Sequence, residues 1–274
     1  MAAPRRGDVP FILGRPGGMA SAEAWMDILV PCDALLPLIG AHSHQVHGGD
    51  GLDSIAGMLF SDPETGPAET LVAELRDYPE WHRGRKRYGV WVLPVVQPAL
   101  LDYLARMRHA LADLLHPSAL RQPHVTVFVC GFHQARRRAD DDFSSGLLRK
   151  QWALLCREAP RRVTLPLAKP DSFAGAAFIP VHDGEGQIAR WRERLGSISE
   201  EVRQAAYVPH ITLGLYRHRV DAPTIRQRLA ALEAPPVALS ATELHYVTYA
   251  ARDSLGPLRI QRRWRLVGDA ALPT

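Results

Sequence analysis

The sequence contains one five-residue pattern twice, and each copy carries a histidine and a threonine two positions apart. Residues 123–127 read PHVTV, and residues 209–213 read PHITL. Residues i and i+2 of a β-strand project from one face, so each histidine shares a face with its threonine. Imidazole titrates near neutral pH, which lets one ring act as a base and its counterpart as an acid, while hydroxyls can donate to oxyanions. This chemistry suits metal-free attack on a phosphodiester by His124, Thr126, His210 and Thr212.

The elements around the two motifs repeat in the same order. Residues 87–168 and residues 174–250 each predict a β-α-β-α-β unit, and the motif lies on the middle strand of each, at a spacing of 86 residues. The duplication predicts an α/β (α+β) fold of two similar halves that pack face to face around a central cleft, on a pseudo-twofold axis. Strands are predicted at 87–95, 123–130, 162–168, 174–182, 209–216, 237–250 and 258–267, and helices at 98–115, 143–158, 187–206 and 222–232.

Charge divides the 274-residue chain into an acidic front segment and a basic remainder. Residues 1–80 contain 4 arginines and 12 acidic residues, a net charge of −8, whereas residues 81–274 carry +12. We expect an acidic N-terminal extension of unknown role over residues 1–80, then a two-lobed domain with lobes at about 86–170 and 171–268. Arginine runs at 136–138 and 262–263 favour an anionic partner. The alternative explanation is that a GC-rich genome favours arginine codons and that these arginines are ordinary solvated surface residues.

Composition also bears on where the chain works. The three cysteines, Cys32, Cys130 and Cys156, have no CxxC spacing, which indicates reduced thiols rather than a disulfide framework. No apolar run reaches the roughly 18 residues that span a bilayer, and no apolar segment of a signal peptide follows the first arginines. The sequence therefore predicts a cytoplasmic protein with no membrane partner.

A histidine-rich loop near the N-terminus offers a different, metal-binding chemistry. His42, His44, His47 and Asp50 have side chains of the types that bind zinc. No second group of ligands stands at a recognisable spacing, so we favour a polar loop flanked by glycines. We expect no metal and no other cofactor.

Residues near the motif strands are weaker candidates for binding a substrate. Arginine suits phosphate oxygens and aromatic rings stack on bases, although each such side chain also serves in ordinary packing. Cys130 has the strand parity of His124 and is expected on the cleft side, where we favour the role of a small buried hydrophobic residue. The candidates are Arg121, Arg217 and Arg219 for phosphate and Phe132, Phe173, Tyr207 and Tyr249 for a base.

The paired His-x-Thr motifs in a duplicated α/β chain resemble the two-histidine phosphoesterase superfamily. The most similar branch is the bacterial 2'-5' RNA ligase-like, RNA 2',3'-cyclic phosphodiesterase group. The resemblance covers roughly residues 86–268, with segments 90–115 and 173–181 and the strands after Ser240 included. It implies a two-lobed fold with a central cleft, metal-independent catalysis and a site made of the two motif histidines and threonines. The acidic front segment departs from compact members of the family.

The resemblance also implies a reaction and a partner. The expected enzyme hydrolyses the 2',3'-cyclic phosphate of RNA ends or nucleotides to a 2'-phosphate, with His124 and His210 as an acid–base pair and threonines on the phosphate oxygens. A 2'-5' RNA ligase or a 2'-5' phosphodiesterase with the same site is the alternative enzyme. A non-catalytic protein that binds RNA ends is the alternative from another class. Two intact histidines count against it, because binding alone requires no matched acid and base.

Overall fold

A computed structural model describes residues 59–117, 120–157, 161–202 and 206–268. The described residues form five helices and ten strands. In chain order these are α1 (Pro79–His82), β1 (Arg87–Pro94), α2 (Pro98–Ala110), β2 (His124–Gln134), β3 (Asp142–Ser144), α3 (Ser145–Leu155), β4 (Val163–Leu165), β5 (Asp171–Ser172), β6 (Ala176–Pro180), α4 (Gln187–Gly196), β7 (His210–Leu215), α5 (Ala222–Ala230), β8 (Leu239–Ala241), β9 (Glu243–Ala250) and β10 (Arg259–Arg265).

Local sequence signals explain where several helices begin. The Ser144 hydroxyl precedes α3 and accepts a hydrogen bond from the Leu147 N–H at 3.2 Å. The Asp221 carboxylate precedes α5 and accepts from the Thr224 N–H at 2.8 Å. Both side chains satisfy N–H groups that have no acceptor inside the helix. Pro98 stands in the first turn of α2, where a missing N–H breaks no helical bond.

Eight strands form one sheet that runs through both halves of the chain. The order is β10-β9-β1-β2-β7-β6-β5, with antiparallel neighbours, and β3 joins β2 in parallel. β4 and β8, one from each half, form a separate antiparallel pair. In the middle of the sheet β2 and β7 join the two halves edge to edge, rather than face to face as expected. The last two strands of the second half, β9 and β10, extend the sheet on the other side of β1.

The internal repeat extends to the hydrogen-bond register. Pro94 of β1 lies opposite His124, and Pro180 of β6 lies opposite His210. In both halves the N–H of the residue after the proline donates to the carbonyl of the residue before the histidine, at 3.0 and 2.9 Å. These equivalent positions are 86 residues apart, whereas the later helices α3 and α5 begin 77 residues apart. The predicted duplication is confirmed, with its pseudo-twofold axis between β2 and β7.

The longer helices cover one face of the sheet. Val125 of β2 and Ile211 of β7 are fully buried there, together with residues of α2, α3, α4 and α5. Because strand neighbours alternate, the motif histidines and threonines project from the opposite face. Away from the motifs, a second apolar cluster that includes Tyr88, Phe132 and Tyr249 closes this face.

Two irregularities in β2 change the side from which its later residues project. The register against β1 skips Val127 and, further on, Cys130. Val127 and Phe128 both point into the core on the helix side, which shifts the alternation by one residue. Cys130 therefore lies in that core, and the prediction that it faces the cleft is wrong. At the second irregularity Gly131 has φ 101°, and Phe132 returns to the cleft face.

Two helices are shorter than predicted. α2 ends at Ala110 and α4 at Gly196, each several residues before the expected end. After α2 the backbone turns and bonds to β7 instead, where the His116 N–H donates to the Leu215 carbonyl at 2.8 Å. Within the described residues, no helix is both long and apolar enough to cross a bilayer.

Part of the front segment packs along the second half of the chain. The N–H groups of Thr70, Leu71 and Ala73 donate to three carbonyls of residues 174–220, at 2.8 to 2.9 Å. Phe60 and Thr70 are fully buried. Residues 59–77 therefore form a strap, first of turns and then of extended chain, that the body binds through its backbone.

Candidate active site

The two motif strands meet at a single backbone pair. Val125 of β2 lies opposite Ile211 of β7, and the described residues form no second pair in this ladder. In an antiparallel pair, the flanking positions bring each histidine beside the threonine of the other motif. His124 and His210 are then diagonal neighbours, whose Cα atoms are about 7–8 Å apart in such a ladder. Four side chains suited to proton transfer and phosphate binding thus share one patch of the sheet.

Each motif histidine makes the same hydrogen bond to the backbone. Nδ1 of His124 lies 2.8 Å from the Gln122 carbonyl oxygen, and Nδ1 of His210 lies 2.7 Å from that of Val208. A carbonyl oxygen only accepts, so Nδ1 carries the hydrogen and Nε2 is the basic nitrogen of the neutral ring. The bond also fixes each ring and turns Nε2 away from that carbonyl. Both histidines therefore present the same nitrogen for proton transfer.

The surroundings of the two rings differ. The His210 side chain is 8% exposed, and its ring centre lies 5.3 Å from that of Phe173 and 5.2 Å from that of Phe178. The two phenylalanine rings stack on each other at 4.3 Å, and Phe178 lies opposite Thr212 in the sheet. His124 is half-buried and lines a cavity. Aromatic walls thus exclude water on the His210 side, whereas the His124 side is open to a ligand.

Two side chains donate hydrogen bonds to backbone carbonyls of β2 just beyond the Val125–Ile211 pair. Arg192 on α4 donates from Nη1 to the Val127 carbonyl at 2.9 Å and pairs with the Glu201 carboxylate at 2.5 Å. The Tyr207 hydroxyl donates to the Thr126 carbonyl at 2.7 Å, and the Arg192 guanidinium stacks over its ring at 3.7 Å. These bonds satisfy carbonyls that β7 does not reach, so the two motif strands separate here without losing backbone bonds.

Arg108 on α2 donates hydrogen bonds in the same way to backbone carbonyls of β7. Its Nε donates to the Leu213 carbonyl at 2.9 Å and its Nη2 to the Thr212 carbonyl at 3.3 Å. Burial lowers the pKa of the Arg108 guanidinium. Among the described residues no carboxylate lies within 4 Å of it. A partly buried cation is stabilised by a counter-ion, so the remaining N–H groups of Arg108 suit an anionic ligand.

A cavity of about 420 Å³ opens beside His124 and Thr212. It runs along α2 and the turn that follows, and Arg108, Arg121 and His116 contribute to its wall. None of its described lining residues is acidic. Its volume lies within the range of small-molecule sites. The cavity therefore has the size and the charge for an anionic ligand next to the paired motifs.

A family model for the 2'-5' RNA ligase superfamily matches residues 96–253, more than half of the chain. The chain belongs to this superfamily. The matched segment contains both motif strands, β2 and β7, together with α2 and every lining residue of the cavity beside them except Leu255. No curated protein matches the chain.

Solved structures similar to this superfamily member have low sequence identity to it. E. coli LigT in complex with 3'-AMP is 16% identical, with 68% of this chain and 100% of that chain covered and a TM-score of 0.46. A structure described as a phosphoesterase is 16% identical, with coverages of 66% and 99% and a TM-score of 0.44. A conserved protein of unknown function from Agrobacterium tumefaciens is 13% identical, with coverages of 64% and 84% and a TM-score of 0.46.

Three of the seven predicted binding residues of this superfamily member lie next to the motifs. Arg121 lines the cavity, donates from Nε to the Gly256 carbonyl at 3.2 Å and stacks over Tyr249 at 4.0 Å. Phe173 contacts the His210 ring, and Tyr207 bonds to the backbone of the first motif. A substrate at the motifs would therefore lie within reach of one cationic and two aromatic side chains.

The other four predicted binding residues do not come together with the motifs. Phe132 and Tyr249 are buried in the apolar cluster on the cleft face. Arg217 and Arg219 are exposed beyond the end of β7, where they bind a backbone carbonyl after α2 and a carboxylate of the front segment. Their roles in substrate binding stay predictions.

Sequence reasoning missed two residues at this site. Arg108 occupies a polar position of an amphipathic helix, and its acceptor on Leu213 is 105 residues away, so no local signal reveals it. Phe178 carried a usable signal. It stands 86 residues after Val92, which lies opposite Thr126, so the repeat alone places Phe178 opposite the second threonine.

The alternative metal site falls outside the described residues. His42, His44, His47 and Asp50 all lie in the part of the chain that precedes residue 59. Where the structure does describe the chain, no group of three or more His, Cys, Asp or Glu side chains could hold a metal ion.

Proposed function

We propose that this superfamily member hydrolyses the 2',3'-cyclic phosphate of RNA ends or nucleotides to a 2'-phosphate. His124 and His210 serve as the general acid and base, and Thr126 and Thr212 donate to the phosphate oxygens. The observation that carries the proposal is the Val125–Ile211 pair, because it brings the two motifs together across a pseudo-twofold axis. The equal Nδ1 bonds of the two histidines support it further.

The reaction needs two proton transfers on opposite sides of one phosphorus atom. Nε2 of one neutral imidazole removes a proton from water as the water oxygen attacks phosphorus. The bond from phosphorus to the ribose 3'-oxygen breaks, and the other histidine, as imidazolium, donates its proton to that oxygen. The products are a 2'-phosphate and a 3'-hydroxyl, and proton exchange with solvent restores both rings. These four side chains complete the cycle by themselves, so no metal step is required.

Cationic groups beside the motifs support an anionic substrate. The two threonine hydroxyls donate to the non-bridging oxygens, where negative charge grows in the transition state. Arg108 lines the cavity beside Thr212 and donates to the carbonyl of that residue. We assign Arg108 to a phosphate oxygen, with Arg121 as a second cation further along the same wall.

A substrate panel tests this proposal. Purified protein is assayed with 2',3'-cyclic nucleotides, 2'-5' linked dinucleotides and RNA ends in the presence of EDTA, and products are separated by the position of the phosphate. Turnover of cyclic phosphates to 2'-phosphates that EDTA does not change is the expected result. Preferred cleavage or joining of 2'-5' linkages would assign the alternative enzyme activity, and binding without turnover would assign a non-catalytic role.

We further infer that the protein works in the reducing cytoplasm. Its two cysteines in the described segments, Cys130 and Cys156, are free thiols, and Cys156 is exposed. Exposed free thiols are typical of proteins from reducing compartments.

A further inference from the structure

A second cationic surface lies at the far end of β2 from the motif. Two cavities of about 550 and 490 Å³ both include His133 in their walls, so they adjoin at this residue. His133 follows His124 by nine positions on β2, and the two bulges reduce this to about seven positions of the partner strand β1, a separation of roughly 23 Å at about 3.3 Å per residue. The two adjoining cavities form a groove well outside the candidate active site.

Six cations from five segments of the chain line this groove. They come from the turn after α1, from β1, from the β2–β3 connection, from α3 and from β10, and all six are exposed. Among the described residues, no carboxylate lies within 4 Å of any of them. We name this surface the distal basic groove, and its cations are Arg83, Lys86, Arg87, Arg138, Arg149 and Arg262.

The carboxylates near the groove, and the arginine that pairs with them, already form ion pairs and hydrogen bonds within the fold. Arg85 pairs with Asp141 and Asp142 and stacks on Phe132 at 3.5 Å. The second oxygen of Asp142 accepts from the backbone N–H groups of Arg138 and Ala139 at 2.9 and 3.0 Å. Arg85 is thus neutralised by its two carboxylates, whereas the six cations around it give the groove a positive charge.

We propose that the distal basic groove binds the phosphate backbone of single-stranded RNA. Arginine and lysine on a concave surface attract a chain of phosphates, and aromatic rings beside them stack bases without regard to sequence. Trp152, which is half-buried, lines the groove next to Arg149 and offers such a ring. The choice of RNA as the occupant rests on the proposed action at RNA ends. An RNA whose end reaches the paired histidines would then be bound a second time along its length.

Salt-dependent RNA binding tests the groove without reference to turnover. The probe is a fluorescein-labelled single-stranded RNA of about 20 nucleotides without a cyclic phosphate, long enough for the sites that such surfaces present. The test variant replaces Lys86, Arg87 and Arg138 with glutamine. Each phosphate contact to a single strand contributes about 0.7 to the slope of log K against log salt. Three lost contacts should lower the slope by about 2 and weaken binding roughly 10- to 100-fold near 0.1 M salt.

A matched variant separates the groove from overall charge. Arg157, Arg194 and Arg252 are exposed and line none of the three cavities, and their replacement by glutamine removes the same charge. We expect this control to bind RNA like the wild-type chain, and both variants to hydrolyse a cyclic mononucleotide like wild type. Unfolding temperatures check that all chains fold. If the groove variant is unstable, the double variant Arg149→Gln, Arg262→Gln tests the other of the two cavities that form the groove.

Several outcomes would overturn the proposal. Equal weakening in the groove variant and the control would show that only net charge matters. An unchanged salt slope in the groove variant would show that these cations do not contact RNA. Displacement of the RNA by polyglutamate at equal charge would identify a surface for acidic polypeptides instead. A wild-type chain that binds the RNA but leaves cyclic phosphates intact would refute the proposed function alone.

Discussion

Removal of both motif histidines should cost little more than removal of one. The Val125–Ile211 pair makes His124 and His210 diagonal neighbours across β2 and β7, so that one phosphate can lie between the rings. A positioned acid or base contributes about 10² to 10⁴ in rate, or roughly 2.7 to 5.4 kcal/mol of barrier. Two independent contributions would multiply to about 10⁴ to 10⁸. Groups that act on one transition state do not multiply, so the double variant should remain near the larger single loss.

The measurement is kcat/KM for a 2',3'-cyclic nucleotide with His124→Ala, His210→Ala and the double variant, in EDTA. Because only the singly protonated pair is productive, wild-type turnover should also pass through a maximum with pH, and each single variant should lose one limb of it. His109→Ala is the matched control, since His109 lines the same cavity but lies on α2. We expect this control to keep its rate within a few-fold of wild type.

Two results would refute this reasoning. A double variant whose loss equals the product of the single losses would mean that the histidines act in separate steps or at separate places. Activity that disappears with a chelator and returns with zinc would move the chemistry away from β2 and β7. The histidines at positions 42, 44 and 47 would then be the first candidates for its ligands.

Further predictions concern phosphate binding and stability. Thr126→Ala and Thr212→Ala should each lower kcat/KM about 10- to 10³-fold, measured in the same assay, because each removes one donor to the developing charge. Arg108→Gln should cost roughly 10- to 100-fold through lost charge-assisted hydrogen bonds, mostly in KM, and Arg108→Lys less. Gln151→Leu should lower the free energy of unfolding by about 1–3 kcal/mol in urea titrations, because it leaves the buried Trp91 N–H without the acceptor now at 2.8 Å. A chain that begins at residue 78 should unfold at a lower temperature than one that begins at residue 59, because it lacks the strap and its backbone bonds.

Much of the fold followed from short-range signals in the sequence. The apolar alternation of PHVTV and PHITL, their flanking prolines and the helical spacing after Pro98 depend on neighbours within a few residues. The repeat then doubled this information, because each half predicted the elements of the other. For this reason the predicted strands at 87–95 and 174–182 lie close to the observed β1 and β6.

The remainder depends on contacts between distant segments. Alternation predicted Cys130 on the cleft side, but a bulge at Val127 and Phe128 reversed it, and bulges depend on the partner strand. The pairing of β2 with β7 could likewise not be predicted from the sequence, since a repeat indicates two similar halves but not how they pack together. The assignment of Arg108 to β7 depends on this union, because only then does α2 approach the Leu213 carbonyl.

The pseudo-twofold axis has a consequence for the ancestry of the chain. Each half contributes one histidine and one threonine, so half a chain has no complete acid–base pair. A homodimer of one ancestral half, joined edge to edge at the strand that became β2 and β7, would contain the same four groups on a true twofold axis. Fusion of two such genes would free the two copies from identity. One copy could then place Phe178 opposite its threonine where the other has Val92, which gives the two motifs different surroundings.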